Sequence, residues 1–178
     1  MRVKSTLSFA AAAFLVPCML MGAHDVRAEG HGLRLSSPAF SPGGPIPRRY
    51  TCDGSATSPG LVIQGVPRRT RSLVLIVVDP DAPGGEWTHW LLWDIKPDTG
   101  MIREGASPTG AISGMNDFRR YGYGGPCPPG GTHRYIFRLY ALDTVIHISR
   151  NSKRTVLEKA MQGHIVGRTE LMGRYTRR

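Results

Sequence analysis

Asp79 and Asp81 stand two residues apart in Asp-Pro-Asp-Ala-Pro, where Pro80 and Pro83 fix the backbone φ and stiffen the turn. Two carboxylates are thereby held together on one rigid corner. Trp87 and His89 follow in Trp-Thr-His-Trp, and His133 and Tyr135 close a glycine- and proline-rich run over residues 122–135 that also carries Tyr123, Gly125, Cys127 and Pro129. Imidazolium, phenol O–H and backbone N–H groups bared by glycines are donors that suit a phosphoryl or carboxylate anion. Carboxylates beside them serve by holding the imidazoles charged and oriented, or by accepting a proton from a monoprotonated phosphate. Such a site favours mildly acidic pH.

The same residues leave two other chemistries open. Two carboxylates with two histidines could carry out acid/base hydrolysis. Asp79, Asp81, His89 and His133 would also make a donor set for zinc or another divalent ion. The enzyme reading lacks support elsewhere: there is no Gly-x-Ser-x-Gly, no phosphate-cradling Walker loop, and no nucleophile with an evident paired base apart from Cys127.

The elements that must position these groups read as strands. Residues 72–78 are a continuous apolar, β-branched run ending at Asp-Pro, the pattern of a strand buried on both faces. Residues 89–95 and 135–142 repeat it, residues 33–36 and 61–64 suggest shorter strands, and residues 169–175 a closing one. One helical pattern stands out over residues 152–163, with Ser152 as N-cap, Val156, Leu157, Ala160 and Met161 on one stripe, and Gly163 as the stop. The expectation is a single mainly β domain with one late helix. Long connections over residues 41–60 and 99–129 exceed what a compact domain leaves idle.

The chain opens with Arg2 and Lys4, an apolar run over residues 7–21 interrupted by Pro17, and Val-Arg-Ala before a cleavage point after Ala28. That predicts a signal peptide over residues 1–28, a mature domain over 29–178, and a periplasmic or secreted location. The apolar run is shorter than a membrane span and is broken by a proline, so the mature protein is expected not to span a membrane. Cleavage removes three cations and Asp25, leaving a formal charge of +8 from the full chain's +10. The remaining basic residues are scattered and lack aromatic interleaving, so nucleic acid is not expected as a partner. Cys18 leaves with the signal, and Cys52 and Cys127 then either pair in an oxidising compartment or stay separate thiols.

The order Asp-Pro-Asp-Ala-Pro, Trp-Thr-His-Trp, Gly-Tyr-Gly-Gly-Pro-Cys-Pro-Pro-Gly-Gly-Thr-His-Arg-Tyr resembles the phosphatidylethanolamine-binding protein family, in its bacterial Raf kinase inhibitor-like branch. Tyr-Thr-Cys-Asp-Gly-Ser from Tyr50 and Glu-Leu-Met-Gly-Arg-Tyr from Glu170 are similar to that branch as well. The resemblance implies a large central antiparallel sheet and a smaller second sheet. It implies a small pocket for phosphoryl and acetate-like anions on Asp79, Asp81, Pro83, His89, Pro129, His133 and Tyr135, with Trp87, Tyr123 and Gly125 on its rim. It assigns no cofactor. A binding or inhibitory protein follows, its ligand a small phosphorylated or carboxylate molecule, phospholipid headgroups among the candidates. Gly84 or Gly85 stands where eukaryotic members place a pocket tyrosine, and the extra C-terminal helix of those members is not expected in the sequence up to Arg178.

Overall fold

The computed structural model describes residues 32–177. The proposed signal peptide and its cleavage point lie outside the described residues. Eight strands and one helix follow in order: β1 Arg34–Ser36, β2 Leu61–Gln64, β3 Ser72–Asp79, β4 Trp87–Ile95, β5 Met101–Ile102, β6 Ile112–Ser113, β7 Gly131–Leu142, α1 Arg154–Met161 and β8 Ile165–Arg177. A 3-10 turn, Arg48–Tyr50, lies in the first long connection. The strands form an antiparallel five-stranded sheet ordered β6-β4-β3-β7-β8 and a three-stranded sheet ordered β1-β2-β5. The mainly β class, the two unequal sheets and the single helix are as the sequence led us to expect.

Strand β3 is buried at all eight positions because both of its faces are covered. Side chains alternate along a strand. Leu73, Leu75 and Val77 therefore pack into one core with Leu35, Leu61, Ile63 and Ile102 of the small sheet and Tyr135, Phe137 and Leu139 of β7. Val74, Ile76 and Val78 face the other way, into a second core closed by Leu157 and Met161 of α1. Each fully buried aliphatic side chain contributes about 1.5–3 kcal/mol, so the central strand is the thermodynamic spine of the sheet. The polar groups of the corner begin where this strand ends, at Asp79.

The helix departs from its sequence reading at both its cap and its stripe. It begins at Arg154 with Lys153 as N-cap and no side-chain capping bond. Ser152 instead donates its backbone N–H to Ser149 O at 2.9 Å, inside the preceding turn. Only Leu157 and Met161, one turn apart, are buried, whereas Val156 is 46% exposed. Ala160 is half-buried against the same core, so the apolar stripe is Leu157, Ala160 and Met161, and only Val156 falls outside it.

Strand β8 is longer than the segment 169–175, because it pairs with β7 along its whole length, from Leu142↔Ile165 to Gly131↔Arg177. Gly173 has no room for a side chain. An added Cβ would lie 2.6 Å from Ile46 Cγ1 and 2.8 Å from the Phe40 ring. Ile46 arrives because 43–46 run along the outer edge of β8, with Gly43 N–H donating to Met172 O at 2.7 Å and Ile46 N–H to Arg174 O at 2.7 Å. The two long connections thus contain sheet-like contacts of their own, including β5 and β6.

Candidate functional site

The ends of β3, β4 and β7 meet at one corner of the central sheet, and four of the residues singled out above converge there. Asp79, the last residue of β3, is 3% exposed, and its Oδ2 accepts a 2.8 Å bond from His133 Nδ1. Its Oδ1 accepts from the Asp81 N–H at 2.9 Å, which locks the Asp-Pro-Asp turn onto the strand end. A carboxylate only accepts, so the His133 nitrogen facing Asp79 carries the proton and Nε2 is the edge left for other partners.

His89 reaches the site through a break in the ladder. Successive residues Val77 and Val78 pair with Trp90 and Thr88, leaving His89 as an extra residue in a β-bulge. Bulges re-aim side chains, and this one turns His89 and Trp90 toward the same side. The His89 ring is 2% exposed and stands edge-on to Tyr135 at 5.2 Å and to Phe118 at 5.1 Å. Its Nδ1–H donates to Gly124 O at 2.7 Å. Burial pulls the imidazole pKa down from its ordinary value, opposed by the Gly124 carbonyl and the Asp79 carboxylate. At neutral pH the ring is therefore neutral, with its lone pair on Nε2.

Tyr135 is fully buried, and its hydroxyl lies near the Asp79 carboxylate and the Cys127 backbone without closing a hydrogen bond of good geometry to either. Burial, and after it the nearby Asp79 carboxylate, pushes the phenol pKa up. The phenol is therefore a proton donor at any ordinary pH.

The other residues expected at the site take supporting positions. Asp81 gives both oxygens to Arg134: Oδ2 accepts from the backbone N–H at 2.9 Å and from Nε at 3.0 Å, and Oδ1 from Nη2 at 2.6 Å. That clamp holds the Asp81 carboxyl well below its ordinary range, at about 2. Trp87 is 38% exposed and meets the Phe118 ring at 5.5 Å. Pro83 and Pro129 are exposed. Gly125 lies against Tyr50 and Thr51, where an added Cβ would come within 2.9 Å of Tyr50 O. Tyr123 turns away from the four central residues: its hydroxyl donates to Tyr50 O at 2.9 Å, and it lines a separate hollow of about 310 Å3 with Trp90 and Ser58. Gly84 and Gly85 are exposed on the turn beyond Asp81.

Asn116, Gly124, Arg134 and Phe118 contribute to the corner without having been singled out in the sequence. Asn116, 3% exposed, accepts at Oδ1 from the N–H groups of Phe118 and Arg120 and donates from Nδ2 to Gly122 O. It shapes the loop that sets Phe118 between Trp87 and His89. The Gly124 carbonyl fixes His89, and an added Cβ there would sit 2.5 Å from the Phe118 ring. The sequence signal for Arg134 was available in the strand alternation, which puts it opposite His133 and Tyr135. For Asn116 the only signal was its place in an overlong loop.

The metal reading meets a different arrangement. Asp79 is engaged by His133 and Asp81 by Arg134, and among the described residues no group of three or more His, Cys, Asp or Glu side chains is arranged to hold a metal ion. Cys52 and Cys127 are joined in a disulfide that ties the turn after Tyr50 to the glycine-rich loop. What the corner offers is two imidazole edges and a buried phenol, backed by one buried carboxylate.

Comparison with known proteins agrees with this arrangement of elements. Residues 36–176 match the family model described as phosphatidylethanolamine-binding protein. A UPF0098 protein of Methanothermobacter thermautotrophicus is 47% identical over 82% of this chain and 99% of its own length. A Chlamydia trachomatis protein whose structure was solved as a phosphatidylethanolamine-binding protein homologue superposes with a TM-score of 0.79 at 43% identity, covering 83% of this chain and 99% of that one. Escherichia coli YbcL, solved as a member of the mammalian family, gives 0.77 at 31% identity over 82% and 99%. With the family model spanning most of the sequence, the chain belongs to the phosphatidylethanolamine-binding protein family.

Proposed function

We propose that this is an exported binding protein whose pocket at the ends of β3, β4 and β7 takes a small phosphoryl or carboxylate anion, a phospholipid headgroup being one source. The observation that carries the reading is the Tyr135 hydroxyl, fully buried and closing no well-formed hydrogen bond to the protein, beside His89 and the Asp79–His133 pair. Leaving such a group unmatched costs about 1–3 kcal/mol. An anionic oxygen that accepts from it removes that penalty and meets the imidazole edges at the same time. The basic, apolar and small-residue pattern of residues 1–28 supports export.

Calorimetric titration with phosphorylethanolamine and inorganic phosphate tests the pocket. Tyr135→Phe keeps the ring against His89 and removes only the donor. A hydrogen bond to a charged group is worth about 1.5–3 kcal/mol, so affinity is expected to fall roughly 10- to 100-fold while the unfolding temperature does not drop. Equal affinity in wild type and variant would remove Tyr135 from the site.

The pH dependence has a definite sign. The His89 pKa is depressed by burial, so the folded protein binds fewer protons than the unfolded chain as pH falls into the imidazole range. Its contribution to stability is present above the unfolded histidine value of about 6.5 and is lost as pH falls through the folded value. An anion at Nε2 favours the imidazolium instead. Lowering pH is therefore expected to tighten anion binding while weakening the ligand-free fold, with proton uptake on binding visible as a buffer-dependent heat. Affinity that rises with pH contradicts this assignment of His89.

A further inference from the structure

The corner described above lies at one end of the sheet. The long edge of β8 is a separate feature with its own chemistry. Along residues 43–46 that edge is covered: Met172 O and both backbone groups of Arg174 bond to the covering segment. Backbone groups alternate in direction along a strand, so Arg168 and Glu170 direct their N–H and C=O groups outward as Met172 and Arg174 do. Among the described residues no backbone partner meets them there. An uncovered edge of this kind templates pairing with another strand.

The side chains at this edge are self-complementary. Arg168 and Glu170 are exposed and lie on the same face of β8, and among the described residues neither is in an ion pair within 4.0 Å. Glu170 lies opposite Arg138 in the ladder, but Arg138 is already held by both oxygens of Glu86 at 3.1 and 2.8 Å. A hollow of about 550 Å3 opens on this strip, lined by Arg138, Tyr140, Arg168, Thr169 and Glu170.

We propose that the uncovered edge of β8 pairs antiparallel with the same edge of a second copy of this chain, about a two-fold axis at Thr169. That register sets Arg168 opposite Glu170 of the second copy and Glu170 opposite its Arg168. Both are outward-directed positions, so each such pair exchanges two backbone hydrogen bonds and the ladder closes with four. Thr169 meets its own copy on the axis, a cross-strand pairing that strands favour. One patch serves both partners, as a two-fold interface requires. The register stops at Met172, where the segment 43–46 already occupies the edge.

Light scattering across a concentration series is the measurement. Wild-type protein should move from monomer toward twice the monomer mass, with the transition shifting to higher concentration as salt screens the charge pairs. Arg168→Glu and Glu170→Arg each place like charges opposite each other twice and should weaken association roughly tenfold or more. The double variant Arg168→Glu/Glu170→Arg restores opposite charges and should dimerise again, and an equimolar mixture of the two single variants should form a heterodimer. Far-UV dichroism establishes that each variant is folded. A wild type that stays monomeric throughout overturns the proposal, and so does a folded double variant that fails to recover. Phosphorylethanolamine titration should be unchanged in all three variants; a loss there would show that the substitutions disturb the sheet, and the pairing would then be rejected as their explanation.

Discussion

Asp79→Ala is expected to cost about 3–5 kcal/mol of folding stability and to abolish detectable anion binding, because one carboxylate anchors two parts of the corner. The Asp79 and His133 side chains are only 5% and 10% exposed, so little solvent screens their interaction. The Asp79 carboxylate accepts two hydrogen bonds, and bonds to a charged group are worth about 1.5–3 kcal/mol each. Without Oδ2, nothing fixes the His133 tautomer or keeps its Nε2 edge turned to the pocket. Without Oδ1, the Asp81 N–H loses the bond that locks the turn onto β3. Denaturant unfolding reads the first effect and phosphorylethanolamine calorimetry the second. A variant with wild-type affinity would show that the Asp79–His133 pair is structural and that the anion sits elsewhere.

The parts of the candidate site legible in the sequence are those that a local pattern fixes. Asp79 was visible because a both-faces-buried strand ends on it, and the rigid turn after it is written in its prolines. His133 and Tyr135 were visible because they sit two apart at the start of an apolar strand, which puts them on one face. The bulge that brings His89 alongside them depends on the register of β4 against β3, a long-range property that no local pattern encodes. Tyr123 has a contact that no local pattern encodes. Its neighbours in the glycine-rich run belong to the corner, yet its hydroxyl is drawn to Tyr50 O, and sequence proximity cannot show on which side of a loop a ring falls. Asn116 and Phe118 lay in a segment read only as an overlong connection, since the bonds that give that loop its shape are made by one buried amide.

The fold was legible to a similar depth for a similar reason. Strands β3, β4 and β7 announce themselves by unbroken apolar runs. Strand β8 is half exposed, so its sequence alternates only weakly, and its length is dictated by β7. The helix cap failed because Ser152 is used by the turn before the helix rather than by the helix itself.

Replacing both Cys52 and Cys127 by Ala is expected to lower folding stability by about 4.5 kcal/mol while leaving anion affinity nearly intact. The bridge spans a sequence separation of 75, and in the chain-entropy account a loop of that size constrains the unfolded ensemble by about that amount. The folded corner does not depend on it alone. Gly124 N–H donates to His89 O at 2.8 Å and Gly124 O accepts from His89 Nδ1. Cys52 N–H reaches Pro126 O at 3.0 Å, and the Tyr123 hydroxyl reaches Tyr50 O. These bonds keep the glycine-rich loop on β4 when the sulfurs are gone. Denaturant unfolding of oxidised wild type and the double variant, with phosphorylethanolamine titration of both, separates the two effects. If affinity collapses along with stability, the bridge is what holds Gly124 against His89, and the backbone bonds between them are too weak to keep the pocket formed.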